Sequence, residues 1–141
     1  LACAESCTGG LISAGCTELA GSSHWFERGF VSYSNEAKHD MLGVPAALIA
    51  QHGAVSEPVA QAMALGALNH SNAQVALAVT GIAGPGGGSA DKPVGLVHLA
   101  AQRKGGGAWH REMRYGDLGR SAVRLATVMT ALEMLQTAAA E

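Results

Sequence analysis

Small hydroxyl and thiol side chains follow the first apolar stretch of the chain, in the segment AESCTGG. Ser6, Cys7 and Thr8 are each able to act as a nucleophile once a base removes the proton. Two later segments add further candidate nucleophiles: Ser22, Ser23 and Thr80. No histidine lies beside any of these residues in the sequence, so local spacing does not predict a serine–histidine pair.

Lysine is rare in this chain, and Lys38 is the one lysine that follows a strand-like segment, VSYS, at the start of a helical pattern. If the strand that carries Tyr33 neighbours the strand that ends at Ser6, Lys38 reaches the Ser6 hydroxyl. Burial would then lower the pKa of Lys38 and allow it to serve as the base of a serine–lysine dyad. The competing interpretation is a solvated lysine that pairs with Glu36 or Asp40.

The elements that must position these residues alternate between strands and helices. Apolar segments predict strands over residues 1–4, 29–34 and 74–80, and a hairpin around the turn Lys-Gly-Gly-Gly. Helical spacing and capping residues predict five helices: from Thr8 or Gly9 to Ala20, over 35–42, over 45–53, from Ser56 onward, and over 116–140. In the last helix we expect a buried face of Leu125, Val128 or Met129, Leu132 and Leu135. The pattern is typical of an α/β fold with a mixed sheet.

Two strand-to-helix junctions, AESCTGG and TGIAGPGGGS, lie where ligands bind in open α/β sheets. The second junction is not a P-loop, since no Gly-Lys-Ser/Thr follows, and Ser89 breaks the GxGxxG pattern. It supports a general phosphate or ribose cradle, or else only a flexible turn. Arg120 and Arg124 share one face of the last helix, where an anion, a subunit contact or solvent would separate their charges.

Composition limits the classes of function. Only 14% of the 141 residues are charged and the formal net charge is -2, so the chain lacks the basic surface typical of nucleic-acid-binding proteins. Its three cysteines form no paired metal-ligand motif, which argues against structural zinc and favours a cytoplasmic location. No run of about 18 apolar residues predicts a membrane span. We expect one domain over residues 1–141 with a trimmed N-terminus, because the chain enters a strand without a preceding methionine.

Taken together and in order, these segments resemble the CinA C-terminal domain family. The similar segments cover essentially the whole chain: AESCTGG, GSSHWFERGFVSYSNEAK, LGV, HGAVSEPVA, TGIAGPGGGSADKPVG and the GD…VR start of the last helix. Stand-alone members of this family are nicotinamide-nucleotide amidohydrolases, also called NMN deamidases. The resemblance implies a three-layer α/β/α sandwich with a mixed, mostly parallel sheet of about five strands.

The resemblance also implies an activity, the hydrolysis of the carboxamide of nicotinamide mononucleotide to nicotinate mononucleotide and ammonia in pyridine nucleotide salvage. It implies no metal and no cofactor. In this sequence Ser6 would be the nucleophile and Lys38 the general base and then acid, with Tyr33 close enough to orient either one. The implied substrate-binding residues are Thr8, Gly9, Gly10, Ser23, Thr80, Gly81, Gly84, Gly86 and Gly87.

Several alternatives stay open from the sequence. Ser23 is the main rival to Ser6 as nucleophile, and a serine–lysine dyad would equally permit hydrolysis of a different small amide. A member without activity would be a non-catalytic nucleotide-binding or assembly module. We expect a small nucleotide as partner, no nucleic acid and no membrane. We also expect a homo-oligomer, with Trp25 and Phe26 either in a subunit contact or in the core.

Overall fold

The computed structural model describes residues 1–140, and strands and helices alternate along the chain. The strands are β1 (Ala2–Glu5), β2 (Arg28–Val31), β3 (Val75–Gly81), β4 (Leu96–Arg103) and β5 (Ala108–Arg114). The helices are α1 (Leu11–Thr17), α2 (Asn35–Leu42), α3 (Ala46–His52), α4 (Glu57–Asn69) and α5 (Arg120–Ala140), and a 3₁₀ turn spans Ser22–His24. None of the helices within residues 1–140 has the length and apolar composition that a bilayer span requires.

The five strands form a single mixed sheet in the order β2-β1-β3-β4-β5. β1 lies between β2 and β3 and is parallel to both, whereas β4 is antiparallel to β3 and to β5. Four of the five strands therefore run in one direction. Because β1, β2 and β3 are parallel, the loops that follow them meet at one edge of the sheet.

Each face of the sheet is covered by its own helices, because side chains alternate between the faces along a strand. On the first face, small strand side chains pack against α2, α3 and α4 and include Ala2, Ala4, Ala76 and Ala78. On the second face, larger side chains pack against α1 and α5 and include Leu77, Val79 and Leu99. The predicted three-layer α/β/α sandwich is confirmed, and the alanines let α4 approach the sheet closely.

Helix α1 begins later and ends earlier than the sequence predicts. The chain forms turns from Cys7 to Gly10, and α1 runs only from Leu11 to Thr17. Gly9 and Gly10 have φ angles of 58° and 107°, in the left-handed region that disfavours other residues. A start at Thr8 or Gly9 is therefore wrong, and the residues between β1 and α1 form a loop.

The last helix buries most of the face that the sequence predicts, but not Leu125. Leu125 is 62% exposed, so its assignment to the buried face is wrong. Of the alternatives Val128 and Met129, Val128 is the buried one, and Leu132 and Leu135 are partly buried against the core. The buried residues of α5 are Val123, Thr127, Val128, Thr130, Ala131, Met134 and Ala138. This helix packs against both the sheet and α1, and small or β-branched side chains allow that close approach better than long ones.

Helix α2, which carries Lys38, packs against α4 at Gly66. A Cβ atom on residue 66 would overlap the carbonyl oxygen of Leu42 and lie 2.9 Å from the Leu42 Cβ atom. We expect Gly66→Ala to lower the free energy of unfolding by roughly 1–3 kcal/mol and to displace α2. Urea unfolding measures this change, with Gly86→Ala as control because an added Cβ there meets no atom within 4 Å. Equal stability of the two variants would contradict the predicted overlap.

Candidate active site

Ser6 and Lys38 meet at the C-terminal end of β1. Ser6 is the first residue after β1, and Lys38 lies in the first turns of α2. That helix begins at Asn35 because the Ser34 hydroxyl caps it by accepting the N–H of Ala37 at 3.0 Å. Lys38 Nζ lies 3.0 Å from Ser6 Oγ. The structure thus brings together the serine and the lysine that the sequence analysis pairs.

Backbone carbonyl groups enclose the amine of Lys38. Its Nζ atom lies 2.9 Å from the carbonyl oxygen of Tyr33 and 3.2 Å from that of Ser32. Lys38 is 1% exposed and forms no ion pair within residues 1–140, so the alternative of a solvated lysine is wrong. Burial lowers the pKa of Lys38, because the ammonium ion loses hydration without gaining a carboxylate partner.

Tyr33 contacts the dyad through its backbone and not through its phenol ring. Its carbonyl oxygen accepts from Lys38 Nζ and lies 3.3 Å from Ser6 Oγ. The side chain is exposed, and its hydroxyl accepts from Arg120 Nη2 at 3.2 Å. Arg120 Nη1 donates to the carbonyl of Gly84 at 2.9 Å. Arg120 therefore connects the Tyr33 side chain with the glycine-rich loop after β3.

Glu5, which the sequence analysis does not single out, organises the loop after β1. Its carboxylate is fully buried and accepts four hydrogen bonds. Oε1 accepts from the Thr8 hydroxyl (2.6 Å) and the N–H of Ile12 (2.8 Å), and Oε2 accepts from the N–H (3.0 Å) and hydroxyl (2.7 Å) of Ser13. The two N–H groups belong to the first turn of α1, where a negative charge is favourable. The sequence does contain a signal for this role, because Glu5 stands at the end of an apolar strand and a few residues before a helix.

The loop after Ser6 presents backbone N–H groups. Within the described residues, the N–H groups of Cys7, Thr8 and Gly10 have no acceptor. Arg124 of α5 holds the loop by its carbonyls instead, with Nε donating to Cys7 (3.1 Å) and Nη2 donating to Thr8 (3.2 Å). Free N–H groups beside a nucleophile suit an anion or a developing oxyanion.

Thr80 and the glycine-rich loop lie at the same edge of the sheet, after the neighbouring strand β3. The buried Thr80 hydroxyl donates to the carbonyl of Ala54 at 2.9 Å and so holds the segment between α3 and α4. The glycines implied for binding lie here as well, at the end of β3 and in the loop that follows: Gly81, Gly84, Gly86 and Gly87.

Ser23 lies at the other edge of the sheet. It belongs to the 3₁₀ turn before β2, where the parallel strands begin, whereas Ser6 lies where β1 ends. The length of β1 separates these edges by roughly 13 Å. Ser23 lines a cavity of about 1060 Å³, together with the exposed Trp25 and the partly buried Phe26. The structure therefore does not bring Ser23 to Lys38.

Cys7 and Thr8, the other candidate nucleophiles in this loop, are not activated for attack. Burial raises the pKa of the Cys7 thiol to about 11, so little of the nucleophilic thiolate forms near neutral pH. The Thr8 hydroxyl donates to Glu5. Among the candidate nucleophiles of residues 1–140, Ser6 is the one with a lysine amine at hydrogen-bond distance.

A second titratable cluster links β4, β5 and α4. His98 Nδ1 lies 2.9 Å from His110 Nε2, while Glu112 lies 3.7 Å from His98 and Glu57 lies 3.6 Å from His110. Burial lowers the pKa of His98, and the charges of His110 and Lys92 lower it further. The charges of Glu112 and Glu57 raise it, but not enough to reverse the shift. The folded state therefore resists protonation of His98, and this contribution to stability is present above the unfolded pKa of about 6.5 and lost as the pH falls.

We therefore expect the thermal midpoint of wild type to fall more steeply below pH ~6.5 than that of His98→Gln, whose side chain does not titrate. Calorimetric or fluorescence melts over a series of mildly acidic buffers measure both slopes. Parallel slopes for the two proteins would show that His98 titrates alike in the folded and unfolded states.

Comparison with known proteins places these features in a family. The family model of the CinA C-terminal domain matches residues 1–139. The nicotinamide-nucleotide amidohydrolase PncC of Enterobacter agglomerans is 54% identical over 140 residues, which are 99% of this chain and 82% of that protein. PncC of Escherichia coli K12 is 55% identical over 133 residues, 94% of this chain and 79% of that protein. The crystal structure of the competence/damage inducible protein CihA from Agrobacterium tumefaciens superposes with a TM-score of 0.96 at 61% identity, covering 97% of this chain and 83% of that one.

Proposed function

The chain belongs to the CinA C-terminal domain family, and from this premise we propose that it hydrolyses the carboxamide of nicotinamide mononucleotide to nicotinate mononucleotide and ammonia. The reaction would be a step of pyridine nucleotide salvage in the cytoplasm. Relatives that are 54% and 55% identical carry the name nicotinamide-nucleotide amidohydrolase. The observation that supports the proposal best is the 3.0 Å contact of Lys38 Nζ with Ser6 Oγ, because amide hydrolysis needs an activated nucleophile.

In this proposal Lys38 is the base in its neutral form. A neutral amine has two N–H donors and one lone pair, and the carbonyl groups of Ser32 and Tyr33 accept the donors. The lone pair is then left to face Ser6 Oγ. Lys38 takes the Ser6 proton as Oγ bonds to the amide carbon, and the ammonium then protonates the leaving nitrogen. The C–N bond breaks and ammonia departs, leaving an acyl-enzyme.

The second half of the reaction reverses these roles with water in place of Ser6. Lys38 takes a proton from a water molecule as its oxygen bonds to the acyl carbon. The bond from that carbon to Ser6 Oγ then breaks, and Lys38 returns the proton to Ser6. In both halves the free N–H groups of Cys7 and Thr8 would stabilise the oxyanion that forms on the carbonyl oxygen.

The substrate-binding roles rest on the position of the two loops at the edge of the sheet. Small residues allow the nucleotide to approach the backbone, and backbone N–H groups bind phosphate and hydroxyl groups. One wall would be the loop after β1, with Thr8, Gly9 and Gly10. The other wall would be the end of β3 and the loop after it, with Thr80, Gly81, Gly84, Gly86 and Gly87.

Incubation of the purified protein with nicotinamide mononucleotide tests the proposal, with ammonia and nicotinate mononucleotide both quantified. We expect equimolar release of the two products by wild type and nearly complete loss in Ser6→Ala. Ser71→Ala is the matched control, because Ser71 lies between α4 and β3 and its hydroxyl donates to the carbonyl of Ala67. Binding of the nucleotide without product would favour the non-catalytic module, and loss in Ser23→Ala instead of Ser6→Ala would assign the nucleophile to Ser23.

The pKa of Lys38 also predicts how activity depends on pH. An unperturbed lysine has a pKa of about 10.4, and burial lowers the pKa of Lys38 below its usual range. Because only the neutral amine accepts the Ser6 proton, kcat/KM should rise with pH and level off above that lowered pKa. Initial rates from neutral to alkaline pH, at low substrate concentration, measure this profile. A decrease of kcat/KM through this range, in protein that stays folded, would contradict a neutral lysine base.

A further inference from the structure

One buried polar atom near the dyad has no partner. Among residues 1–140, Ser32 Oγ is the one buried side-chain nitrogen or oxygen without a hydrogen bond, and Ser32 is 0% exposed. Buried hydroxyl groups are nearly always paired, because an unpaired one loses hydration without compensation. The position of Ser32 therefore calls for a partner that arrives during the working cycle of the protein.

The backbone of Ser32 ties this hydroxyl to the dyad. Its N–H donates to the carbonyl of Glu5 at 3.0 Å, which continues the pairing of β2 with β1, and its carbonyl accepts from Lys38 Nζ at 3.2 Å. Phe30 packs on the face covered by α2, α3 and α4, and strand alternation places Ser32 on that same face. The hydroxyl thus belongs to the residue that already binds the lysine.

Because Ser32 is buried, the hydrogen-bond partner of its hydroxyl must be a group that is already inside the protein. Substrate and bulk water do not reach an atom with no exposed surface unless the structure opens, whereas Lys38 Nζ is already inside. A lysine ammonium has three N–H groups, and its three neighbours are the Tyr33 carbonyl, the Ser32 carbonyl and Ser6 Oγ. The first two are fixed parts of the backbone. Ser6 Oγ is the neighbour whose chemistry changes, since it becomes bonded to carbon in the proposed reaction.

We propose that Ser32 is a positioning residue for Lys38, and that its hydroxyl accepts the Nζ–H that turns away from Ser6 Oγ while Ser6 is bonded to substrate carbon. This inference rests on the proposed function, in which Lys38 is an ammonium ion while Ser6 Oγ is bonded to carbon in the tetrahedral intermediate. In that intermediate Ser6 Oγ is bonded to carbon and is a weaker acceptor than a serine hydroxyl, so the ammonium would otherwise lose one hydrogen bond in a buried site. Ser32 then holds the charged lysine beside the reacting atoms until its proton is transferred.

A structural role and a positioning role predict different results for Ser32→Ala. Removal of an unpaired buried hydroxyl should leave stability equal or higher, because no native hydrogen bond is lost. If Ser32 positions Lys38, the same variant should lose kcat by roughly 10- to 100-fold, the loss typical of one hydrogen bond to a charged group, with little change in KM. Ser32→Thr retains the hydroxyl and should recover most of this loss.

The test combines kinetics with a structure that does not depend on turnover. Kinetic constants and urea unfolding are measured for wild type, Ser32→Ala, Ser32→Thr and the control Thr127→Val, whose lost hydroxyl donates to the Val123 carbonyl in α5. We expect Thr127→Val to keep the wild-type kcat. A crystal structure is then determined after reaction with an alkyl fluorophosphonate, in which Ser6 Oγ bonds to phosphorus, fluoride leaves and Lys38 takes the serine proton. We expect Lys38 Nζ within hydrogen-bond distance of Ser32 Oγ in that structure.

Each outcome separates this inference from the proposed function. If wild type releases ammonia and Ser32→Ala has the same kcat, or if Lys38 leaves Ser32 Oγ unpaired in the phosphonylated protein, the role of Ser32 is refuted and the dyad stands. A stable Ser32→Ala variant with reduced kcat, rescued by Ser32→Thr, supports the inference. If wild type neither releases ammonia nor reacts with the phosphonate at Ser6, the proposed function has failed and the role of Ser32 with it.

Discussion

Lys38→Met is expected to lower kcat for amide hydrolysis by roughly 10²- to 10⁴-fold, the range typical of the loss of a general base. Methionine fills similar buried space but has no lone pair that accepts the Ser6 proton at 3.0 Å. The effect should fall on kcat and not on KM, because proton transfer occurs only as the bond to carbon forms. Ammonia release over a series of nicotinamide mononucleotide concentrations measures both constants.

Lys104→Met is the matched control for this variant. Lys104 is exposed in the turn between β4 and β5, and among residues 1–140 only its backbone N–H makes a hydrogen bond, to the Gln74 carbonyl. We expect Lys104→Met to keep the wild-type kcat, while circular dichroism shows that both variants are folded. A folded Lys38→Met protein with wild-type kcat would exclude Lys38 as the base and leave Ser6 to be activated by another group.

Removal of the Glu5 carboxylate is expected to lower the free energy of unfolding by roughly 2–4 kcal/mol, a large part of the stability of a small domain. In Glu5→Ala the N–H groups of Ile12 and Ser13 and the hydroxyls of Thr8 and Ser13 lose their acceptor. Glu5→Gln replaces one acceptor oxygen by an amide NH₂ group and should be intermediate. In urea unfolding we expect the free energy of unfolding to decrease in the order wild type, Glu5→Gln, Glu5→Ala.

The loss of Glu5 should also lower activity, because the loop that it anchors begins at Ser6. We expect reduced kcat in Glu5→Gln even under conditions where the protein is fully folded. Glu133→Ala is the control, since Glu133 is exposed on α5 and, within the part of the chain that the structure describes, its carboxylate pairs only with Arg111 at the surface, at 3.1 Å. That substitution should change stability by no more than about 0.5 kcal/mol. Equal stability of Glu5→Ala and Glu133→Ala would show that the four hydrogen bonds of Glu5 are replaced by water at no cost.

The order of strands and helices was predictable from the sequence, because apolar periodicity and capping residues act over short distances along the chain. Ser34 and Ser56 each cap a helix where the sequence predicts one. The sequence likewise predicts a mixed sheet, from the alternation of strands with helices and from one hairpin. Ser6 and Lys38 were predicted as a pair from the position of each at a strand-to-helix junction and from family resemblance. The cytoplasmic location and the homo-oligomer stay predictions.

Only the tertiary structure decided which groups surround the dyad. Ser6 and Lys38 are 32 positions apart, so their contact depends on β2 lying beside β1. That pairing also turns the carbonyl of Tyr33, and not its phenol, toward the dyad, and leaves the Ser32 hydroxyl without a partner among residues 1–140. Ser23 precedes β2 and so lies at the opposite edge. Local periodicity carries no information on strand order, since that depends on contacts between residues distant in sequence.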